Sequence, residues 1–363
     1  MLSVKICELG VPTLVCSMIN MEERHLSIVQ AILKQYDYSF FVFGSRITEK
    51  AKRFSDLDLV YFENIPNSII LKLEEDFEES NLPYTVDLVN YNKCDSTFQE
   101  IIDRAYVCLQ SGSLLKMVEK NHTGHFVFFP KILGFSAYEQ QGLQFVDCGL
   151  NTSMFNIVFG VPELDISNTI DTVKANFKGQ PFAWWIPPSG DTRALGTLLE
   201  EAGLVMETRE HAMICDLEEC AIETLKTDLQ CQPVLTYAAL QDFIHILEPY
   251  DSMVRLFYEK LTEPLLATAQ EQFFVGYQQN KPVVIGILFN DIQAAGIFSL
   301  LTEEAARGKG YGTDMLSYLL QTAKKQGRRY VTLSASSDAG YRIYERLGFK
   351  RIGEFACFEF RNE

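Results

Sequence analysis

The chain has 363 residues, of which 47% are hydrophobic, so it is long enough for more than one packed core. Its formal net charge is −16, from 48 acidic and 32 basic residues. This charge argues against sequence-independent binding to nucleic acid and favours cationic or amine-bearing partners. Nine cysteines without a two-residue spacing predict free thiols in a reducing cytoplasm and no zinc site.

The amino-terminal twenty residues contain only a short apolar run. Residues 11–19 are too few to cross a bilayer, and Lys5 and Glu8 precede them. We therefore predict neither a membrane span nor a signal peptide here. The first clear helix is expected to begin at Met21, and the sequence leaves the oligomeric state open.

Acidic residues lie on two predicted strands in the first third of the chain. Residues 55–62 alternate between apolar and polar, which places Asp56 and Asp58 on one face of a strand. A later strand, residues 84–89, supplies Asp87 in an apolar setting. Two like charges so close repel each other unless a cation lies between them, and carboxylate oxygens suit Mg²⁺.

A Gly-Ser pair that follows a buried strand completes this pattern. Gly44 and Ser45, followed by Asp56 and Asp58 and then by a single Asp87, resemble the polymerase-β-like nucleotidyltransferases, especially their minimal, antitoxin-like members. The resemblance implies that the Gly-Ser pair grips the phosphates of a nucleoside triphosphate and that the three aspartates hold Mg²⁺ and catalyse nucleotidyl transfer. The stretch after the serine lacks a glycine that minimal members usually carry.

The middle of the chain contains two adjacent tryptophans beside prolines. Strands are predicted at residues 151–159 and 213–217, and a helix at residues 195–204. Trp184 and Trp185 either face a substrate or belong to a packed core or interface. The first domain boundary is expected either near residues 110–113 or in residues 119–124, both polar, and His122 and His125 are expected to lie in this linker. Residues 97–110 are expected to form a helix.

A basic residue followed by glycines three and five positions later opens a helix near the carboxyl end. Glycine lets the backbone approach a ligand closely, and the amides of a first helical turn point at that ligand with the positive end of the helix dipole. A pyrophosphate fits such a turn. The predicted cradle comprises Arg307, Gly308, Lys309, Gly310, Tyr311, Gly312 and Thr313.

Residues 233–363 resemble a GNAT-family N-acetyltransferase domain. The acyl-CoA signature of that family is Gln or Arg, two residues, Gly, one residue, then Gly or Ala, and it matches Arg307, Gly310 and Gly312. A later helix carries Tyr344 ahead of a Gly-Phe, as in the family. The predicted strands follow the family's order at residues 272–278, 282–289, 294–301, 329–335, 349–353 and 355–361.

The resemblance implies an acetyl-CoA site with assigned roles. The strand around Ser299, Leu300 and Leu301 is expected to hold the pantetheine arm of acetyl-CoA and to offer a backbone amide to the acyl oxygen. Tyr344 is expected to be the general acid that protonates the departing thiolate. The general base stays unassigned, with four carboxylates near the right strands: Glu271, Asp291, Glu303 and Glu304.

The middle segment resembles the degenerate first half of tandem GNAT proteins, since it has no basic residue with glycines at the cradle spacing. We expect it to complete or shape the substrate cleft of its neighbour. The expected fold class is α/β (α+β), with a nucleotidyltransferase-like mixed sheet followed by tandem GNAT-like mixed sheets, all flanked by helices. The expected domains are residues 1–115, 121–217 and 233–363.

Together the resemblances imply a cytoplasmic acetyl-CoA-dependent N-acetyltransferase that acts on an amine of a small molecule or protein and carries a Mg²⁺-dependent nucleotidyltransferase-like domain. Alternatives remain open. The alternatives are a sensor without catalytic turnover, a toxin–antitoxin-like fusion in which one domain restrains the other, and an aminoglycoside-type drug-modifying enzyme. The acceptor cannot be read from one sequence, because acceptor pockets are built from variable loops.

Overall fold

The computed structural model describes residues 19–48, 51–52, 55–63, 65–163, 166–220, 222, 224–292 and 294–361. The apolar run at residues 11–19 therefore lies outside the described part, except for its last residue. The helices are α1 (Glu23–Leu33), α2 (Asn67–Glu78), α3 (Ser96–Arg104), α4 (Ser113–Ile132), α5 (Ile166–Asn176), α6 (Thr192–Glu201), α7 (Tyr237–Leu247), α8 (Val254–Tyr258), α9 (Glu263–Leu266), α10 (Tyr311–Lys325) and α11 (Asp338–Arg346). Throughout the described ranges, no helix is both long enough and apolar enough to cross a membrane.

The strands belong to two sheets. The strands are β1 (Phe40–Phe43), β2 (Leu57–Tyr61), β3 (Val86–Asn90), β4 (Tyr106–Gln110), β5 (Ser136–Gln140), β6 (Leu143–Asp147), β7 (Ile157–Gly160), β8 (Phe182–Ile186), β9 (Val205–Asp216), β10 (Gln230–Pro233), β11 (Glu271–Gln278), β12 (Lys281–Asn290), β13 (Ala294–Thr302), β14 (Tyr330–Ala335) and β15 (Lys350–Phe360). With helices on these mixed sheets, the α/β fold class is confirmed.

The smaller sheet has the strand order β3-β2-β1-β4. Strands β2 and β3 run parallel, and β1 is antiparallel to both β2 and β4. A buried apolar cluster that includes Leu33, Leu59 and Leu73 joins this sheet to α1 and α2. The expected helix at residues 97–110 is wrong in its second half, because residues 106–110 form β4. A short apolar run of this kind fits a buried strand as well as a helix.

The larger sheet is continuous, with the order β10-β11-β12-β13-β14-β9-β15-β8-β7-β6-β5. Strand β9 pairs antiparallel with both β14 and β15, and β15 pairs antiparallel with β8 on its other side. The sheet has two halves in sequence, β5–β9 and β10–β15. Strand β9 of the first half lies between β14 and β15 of the second, and β15 lies between β9 and β8 of the first. The two short strands predicted at the carboxyl end are one strand, β15, with register shifts near Gly353 and Phe358. The predicted domain boundaries stay a prediction.

Helix α4 crosses the larger sheet and contacts strands of both halves. The expected linker at residues 119–124 is wrong, because this polar segment lies inside the helix. Asn121 is buried, donates a hydrogen bond to the carbonyl of Ala294 (3.4 Å) and accepts one from the hydroxyl of Thr332 (3.1 Å). A Cβ at Gly296 would lie 1.8 Å from the side-chain oxygen of Asn121, so only glycine permits this approach. The helix is thereby fixed where β13 meets β14.

Candidate functional sites

The predicted cradle begins as an exposed turn at residues 307–310 and continues into the less exposed start of a helix, and its amides are unpaired. Gly308 and Gly310 have φ values of +76° and +91°, in the left-handed region that favours glycine. Among the described residues, no protein acceptor binds the N–H groups of residues 308–313. Helix α10 begins directly after Gly310, so its first-turn amides and its positive dipole end face the same space.

Arg307 lies at the edge of this turn with donors to spare. Its guanidinium donates to the carbonyl of Thr302 (3.3 Å) and to the hydroxyl of Tyr250, while the side chain stays exposed. Arginine has five N–H donors, so three remain for a ligand. On the inner side, the buried carboxylate of Asp314 accepts hydrogen bonds from the N–H groups of Lys226 and Thr227, which holds the first turn of α10 in place.

The strands ahead of the cradle, β13 and β14, separate after a short parallel pairing. Residues 294–296 of β13 pair in parallel with residues 330–332 of β14, and the pairing ends there although both strands continue. Ser299, just past this point, has φ +48°, which is rare for a residue other than glycine. Its partner strand β12 shows a register shift opposite this segment. The gap beside Ser299, Leu300 and Leu301 exposes backbone groups of β13 that a ladder would otherwise use.

Tyr344 lies on α11 with its ring against Phe349 (centroids 6.0 Å apart). Burial, together with the charge of Glu210, raises the pKa of Tyr344 to about 12. Glu210 is itself largely buried and accepts a hydrogen bond from Ser334 of β14. The phenol is therefore protonated near neutral pH, which is the state that a general acid requires.

A cavity of about 580 Å³ lies between the two halves of the larger sheet. Ser299 lines it, and so does Tyr250, the tyrosine that Arg307 contacts. The cavity therefore begins where the cradle and the strand gap end. Its basic lining residues are one arginine, Arg361, and one histidine, His125. Four carboxylates also line it: Glu207, Asp251, Glu271 and Glu359.

The two tryptophans separate into different roles. Trp184 is fully buried and donates a hydrogen bond from Nε1 to the carbonyl of Gly160 (3.1 Å), so it belongs to the core. Trp185, on the opposite face of β8, lines the cavity and lies against Phe126 (centroids 5.7 Å apart). Only the second tryptophan is therefore available to a ligand in this cavity.

The four carboxylates considered near the acetyl-CoA strands lie in different environments. Glu303 and Glu304 are exposed beside the cradle, and Asp291 forms an ion pair with Lys120 (3.0 Å). Glu271 is buried, lines the cavity and is 2.9 Å from Nδ1 of His125 on α4. Burial raises the pKa of Glu271, and the neighbouring His125 opposes that shift. Sequence reasoning missed His125 because α4 brings it across the sheet from 146 positions away.

The nucleotidyltransferase residues meet at one end of the smaller sheet. Asp58 of β2 pairs in register with Asp87 of β3 and with Phe43 of β1, after which Gly44 begins a 3₁₀ turn with φ +75°. A Cβ at this glycine would lie 2.6 Å from a carboxylate oxygen of Asp58, so glycine is required. Ser45 follows directly in the same turn.

The three aspartates repel one another at this end of the sheet. The pKa of Asp58 is raised, first by burial and then by the charges of Asp87 and Asp56. Asp56 and Asp87 are exposed, and Asp56 accepts a hydrogen bond from the hydroxyl of Thr85 (2.6 Å). Within the ranges that the structure describes, no group of three or more His, Cys, Asp or Glu side chains is already assembled to hold a metal ion. Mutual repulsion of this kind is relieved by a divalent cation, so the donor set fits one.

Arg46 is a further residue of this site that the sequence analysis did not assign. It is buried, with its guanidinium 3.8 Å from the ring centroid of Tyr84. It donates hydrogen bonds to the carbonyls of Asn20 (2.9 Å), Asp56 (3.2 Å) and Ser55. The arginine therefore fixes the backbone that carries Asp56.

Comparisons with known proteins identify two domains in this chain. Residues 29–113 match the family described as polymerase beta, nucleotidyltransferase, and residues 269–351 match the acetyltransferase (GNAT) domain. A protein of Haemophilus influenzae described as probable protein adenylyltransferase MntA is 40% identical over 106 residues, which make up 28% of this chain and 91% of that protein. The chain is a polymerase-β nucleotidyltransferase fused to a GNAT acetyltransferase. It is therefore a transferase enzyme, with the aspartate site in its nucleotidyltransferase domain and the cradle in its GNAT domain.

The GNAT fold extends beyond the matched residues. A GCN5-related N-acetyltransferase from Kribbella flavida superposes with a TM-score of 0.52 and 14% identity, covering 67% of this chain and 96% of that one. A conserved protein of unknown function from Staphylococcus epidermidis superposes with a TM-score of 0.50 and 15% identity, covering 64% and 96%. Both similarities concern the fold.

Proposed function

We propose that the GNAT domain transfers the acetyl group of acetyl-CoA to a primary amine that binds in the cavity between the two halves of the sheet. The observation that carries this proposal is the turn of residues 308–313, whose amides make no hydrogen bond to a described acceptor. A buried or internally paired turn would have no capacity left for a ligand. Here six consecutive N–H groups make no hydrogen bond to a described acceptor, and Arg307 and the positive end of the helix dipole adjoin them.

Acetyl-CoA would then extend from the cradle into the gap between β13 and β14. The amides of residues 308–313 and the guanidinium of Arg307 would hold its diphosphate. The β13 backbone beside Ser299, Leu300 and Leu301 would hold the pantetheine arm, since its hydrogen-bonding groups have no strand partner on that side. Tyr344 would supply the proton that the departing sulfur needs.

The lining of the cavity supports an amine acceptor. Four carboxylates and several aromatic rings surround it, and a cation is stabilised both by carboxylates and by aromatic faces. The chain as a whole is also acidic, with a formal net charge of −16, which attracts cations to the cavity mouth. Polyamines, aminoglycosides and lysine-bearing peptides meet this description. Nine cysteines without a two-residue spacing support an activity in a reducing cytoplasm.

Calorimetry with acetyl-CoA tests the proposal directly. Charge reversal by Arg307→Glu should weaken binding at least about tenfold, because one charge-assisted hydrogen bond to phosphate contributes roughly 1.5–3 kcal/mol. The matched control is Arg104→Glu, which reverses an exposed arginine at the end of α3 in the other domain. Equal affinity in wild type and Arg307→Glu would contradict the assignment of the cradle.

For the amino-terminal domain we propose Mg²⁺-dependent transfer of AMP from ATP to a protein side chain. The raised pKa of Asp58 beside Asp56 and Asp87 supports a cation site, and the Haemophilus relative is described as a protein adenylyltransferase. Gly44 and Ser45 would hold the nucleotide phosphates. Asp56, Asp58 and Asp87 would hold Mg²⁺, which supplies neutralisation of the phosphate charge.

Labelled ATP tests this second proposal. The double variant Asp56→Asn with Asp58→Asn should abolish Mg²⁺-dependent nucleotide binding and labelling. The control removes the same number of charges from the exposed end of α2, through Glu78→Gln with Glu79→Gln. Labelling that persists in the aspartate variant, and depends on Mg²⁺ as in wild type, would rule out the assigned site.

A further inference from the structure

A histidine and a glutamate from distant parts of the chain form a hydrogen-bonded pair in the cavity wall. Nδ1 of His125 on α4 is 2.9 Å from Oε1 of Glu271, the first residue of β11. The glutamate side chain is only 3% exposed, and the histidine side chain is 17% exposed. The second oxygen of Glu271 is buried and has no partner among the described residues. The imidazole of His125 is therefore the one hydrogen-bond partner of the Glu271 carboxylate among the described residues.

The pair lies next to the proposed position of the acetyl group. The ring of His125 stacks on Phe298, with centroids 3.9 Å apart and planes at 12°. The residue after Phe298 is Ser299, where β13 leaves its neighbour. His125, Glu271 and Ser299 all line the same cavity. Nε2 of His125 makes no hydrogen bond with a described residue, so this nitrogen is available to a ligand.

We infer that Nε2 of His125 is the general base that accepts a proton from the acceptor ammonium, and that Glu271 is the positioning residue that fixes its tautomer. This inference rests on the proposed acetyl transfer. A carboxylate that accepts from Nδ1–H leaves the lone pair on Nε2, which is the atom directed away from the carboxylate. The base therefore comes from α4, outside the residues that match the GNAT family.

The proton balance is complete with these residues. The acceptor R–NH₃⁺ gives one proton to Nε2 of His125, which later releases it to solvent. The freed electron pair on nitrogen forms the new C–N bond at the thioester carbonyl, and the C–S bond breaks with its electron pair on sulfur. Tyr344 gives a proton to that sulfur. The second proton that leaves the nitrogen, as the amide forms, restores the proton of Tyr344.

Other groups near the cradle are less suited to this role. Glu303 and Glu304 are exposed outside the cavity, and Asp291 is occupied by its ion pair with Lys120. His122, one turn before His125, is buried against aromatic rings, and burial lowers its pKa to about 3. An imidazole of this kind is a weak base and takes up no additional proton near neutral pH.

Nitrogen NMR of the protein alone tests the tautomer. With ¹⁵N-labelled histidine, the neutral form of His125 should carry its proton on Nδ1 and none on Nε2. The His125→Asn variant assigns the signals. Glu271→Gln retains an oxygen that accepts from Nδ1, so it should keep this tautomer, whereas Glu271→Ala should lose it. A neutral His125 that carries its proton on Nε2 in the wild-type protein would overturn the inference without any reference to activity.

Kinetics with acetyl-CoA and spermidine as the acceptor probe test the base. His125→Asn keeps a donor toward Glu271 but lacks Nε2, so kcat should fall about 100-fold or more while the Kd for acetyl-CoA stays unchanged. Added imidazole should restore part of the rate of His125→Ala. Glu271→Ala should lower kcat and Glu271→Gln should keep most of it. The control is His245→Asn, an exposed histidine on α7 outside the cavity, which should behave as wild type.

The outcomes separate the two levels of the argument. If wild type does not bind acetyl-CoA, the proposed function fails. If wild type binds it and His125→Asn turns over as fast, only the base assignment is overturned. If spermidine is not acetylated, the rates of wild type and His125→Asn are compared in the hydrolysis of acetyl-CoA. This reaction uses water as the acceptor and is followed by release of the coenzyme A thiol.

Discussion

Replacing His122 with phenylalanine should remove a large part of the acid sensitivity of the larger sheet. His122 is 4% exposed and stacks on Phe355, with ring centroids 4.3 Å apart. Its Nε2 is buried without a partner among the described residues. Burial lowers the pKa of this imidazole from 6.5 to about 3, with a smaller contribution from His125. The folded protein therefore holds His122 neutral, whereas the unfolded chain binds a proton below its ordinary pKa.

The sign and size of the effect follow from this difference. Because the folded pKa is depressed, the stability is fully present above pH 6.5 and is lost as the pH falls from 6.5 toward 3. Between pH 7 and pH 5, His122 binds a proton in the unfolded chain but not in the folded protein. This difference shifts the logarithm of the unfolding equilibrium constant by about 1.4 toward the unfolded state. At about 1.36 kcal/mol per unit, His122 should cost about 2 kcal/mol of unfolding free energy at pH 5.

Urea unfolding at pH 7 and pH 5, followed by tryptophan fluorescence, measures this loss. Trp185 lies 5.4 Å from His122 between ring centroids, so the signal reports on the relevant core. His122→Phe keeps an aromatic ring there and should lose about 2 kcal/mol less than wild type between the two pH values. His245→Asn is the control and should keep the wild-type dependence. If His122→Phe and wild type lose the same free energy within about 0.5 kcal/mol, the reasoning about burial is refuted.

Three further substitutions test separate parts of the structure. Gly44→Val forces a left-handed φ on a branched residue and places a Cβ 2.6 Å from an oxygen of Asp58. AMP transfer should therefore disappear, while calorimetry should show an unchanged affinity for acetyl-CoA. Retained labelling from ATP would contradict this prediction. Gly296→Ala drives a Cβ to 1.8 Å from Asn121, which should cost roughly 1–3 kcal/mol in urea unfolding, and an unchanged midpoint would mean that α4 does not dock as described. Tyr344→Phe should lower kcat by about 100-fold without changing the Kd for acetyl-CoA, and a wild-type rate would remove the tyrosine from the acid role.

Residues that act through local backbone geometry were predictable from the sequence. Gly310 and Gly44 occupy turns that follow strands, and both have the left-handed φ values that make glycine necessary there. The alternation that places Asp56 and Asp58 on one face is equally local. Short motifs of this kind carry their geometry with them, because a few consecutive residues decide it.

Residues that act through the tertiary arrangement were not predictable. His125 looked like part of a polar linker, yet it lies within a 20-residue helix that packs against strands of both halves of the larger sheet. Glu271 was one of four equivalent candidates for the general base in the sequence, but the fold buries it alone against that histidine. The pairing of β9 with β14 and β15 is equally distant in sequence. None of these contacts has a periodicity or a spacing, so no pattern in one sequence announces them.

The interleaved strands β9 and β15 make the two halves of the larger sheet inseparable. A fragment of residues 233–363 would contain β15 without the strands on either side of it, β8 and β9. Such a fragment would expose unpaired backbone edges prone to aggregation. The half that lacks a cradle is therefore indispensable for a reason unrelated to catalysis. Deleting it would not trim the enzyme to a minimal form, because β15 would lose its pairing partners on both edges.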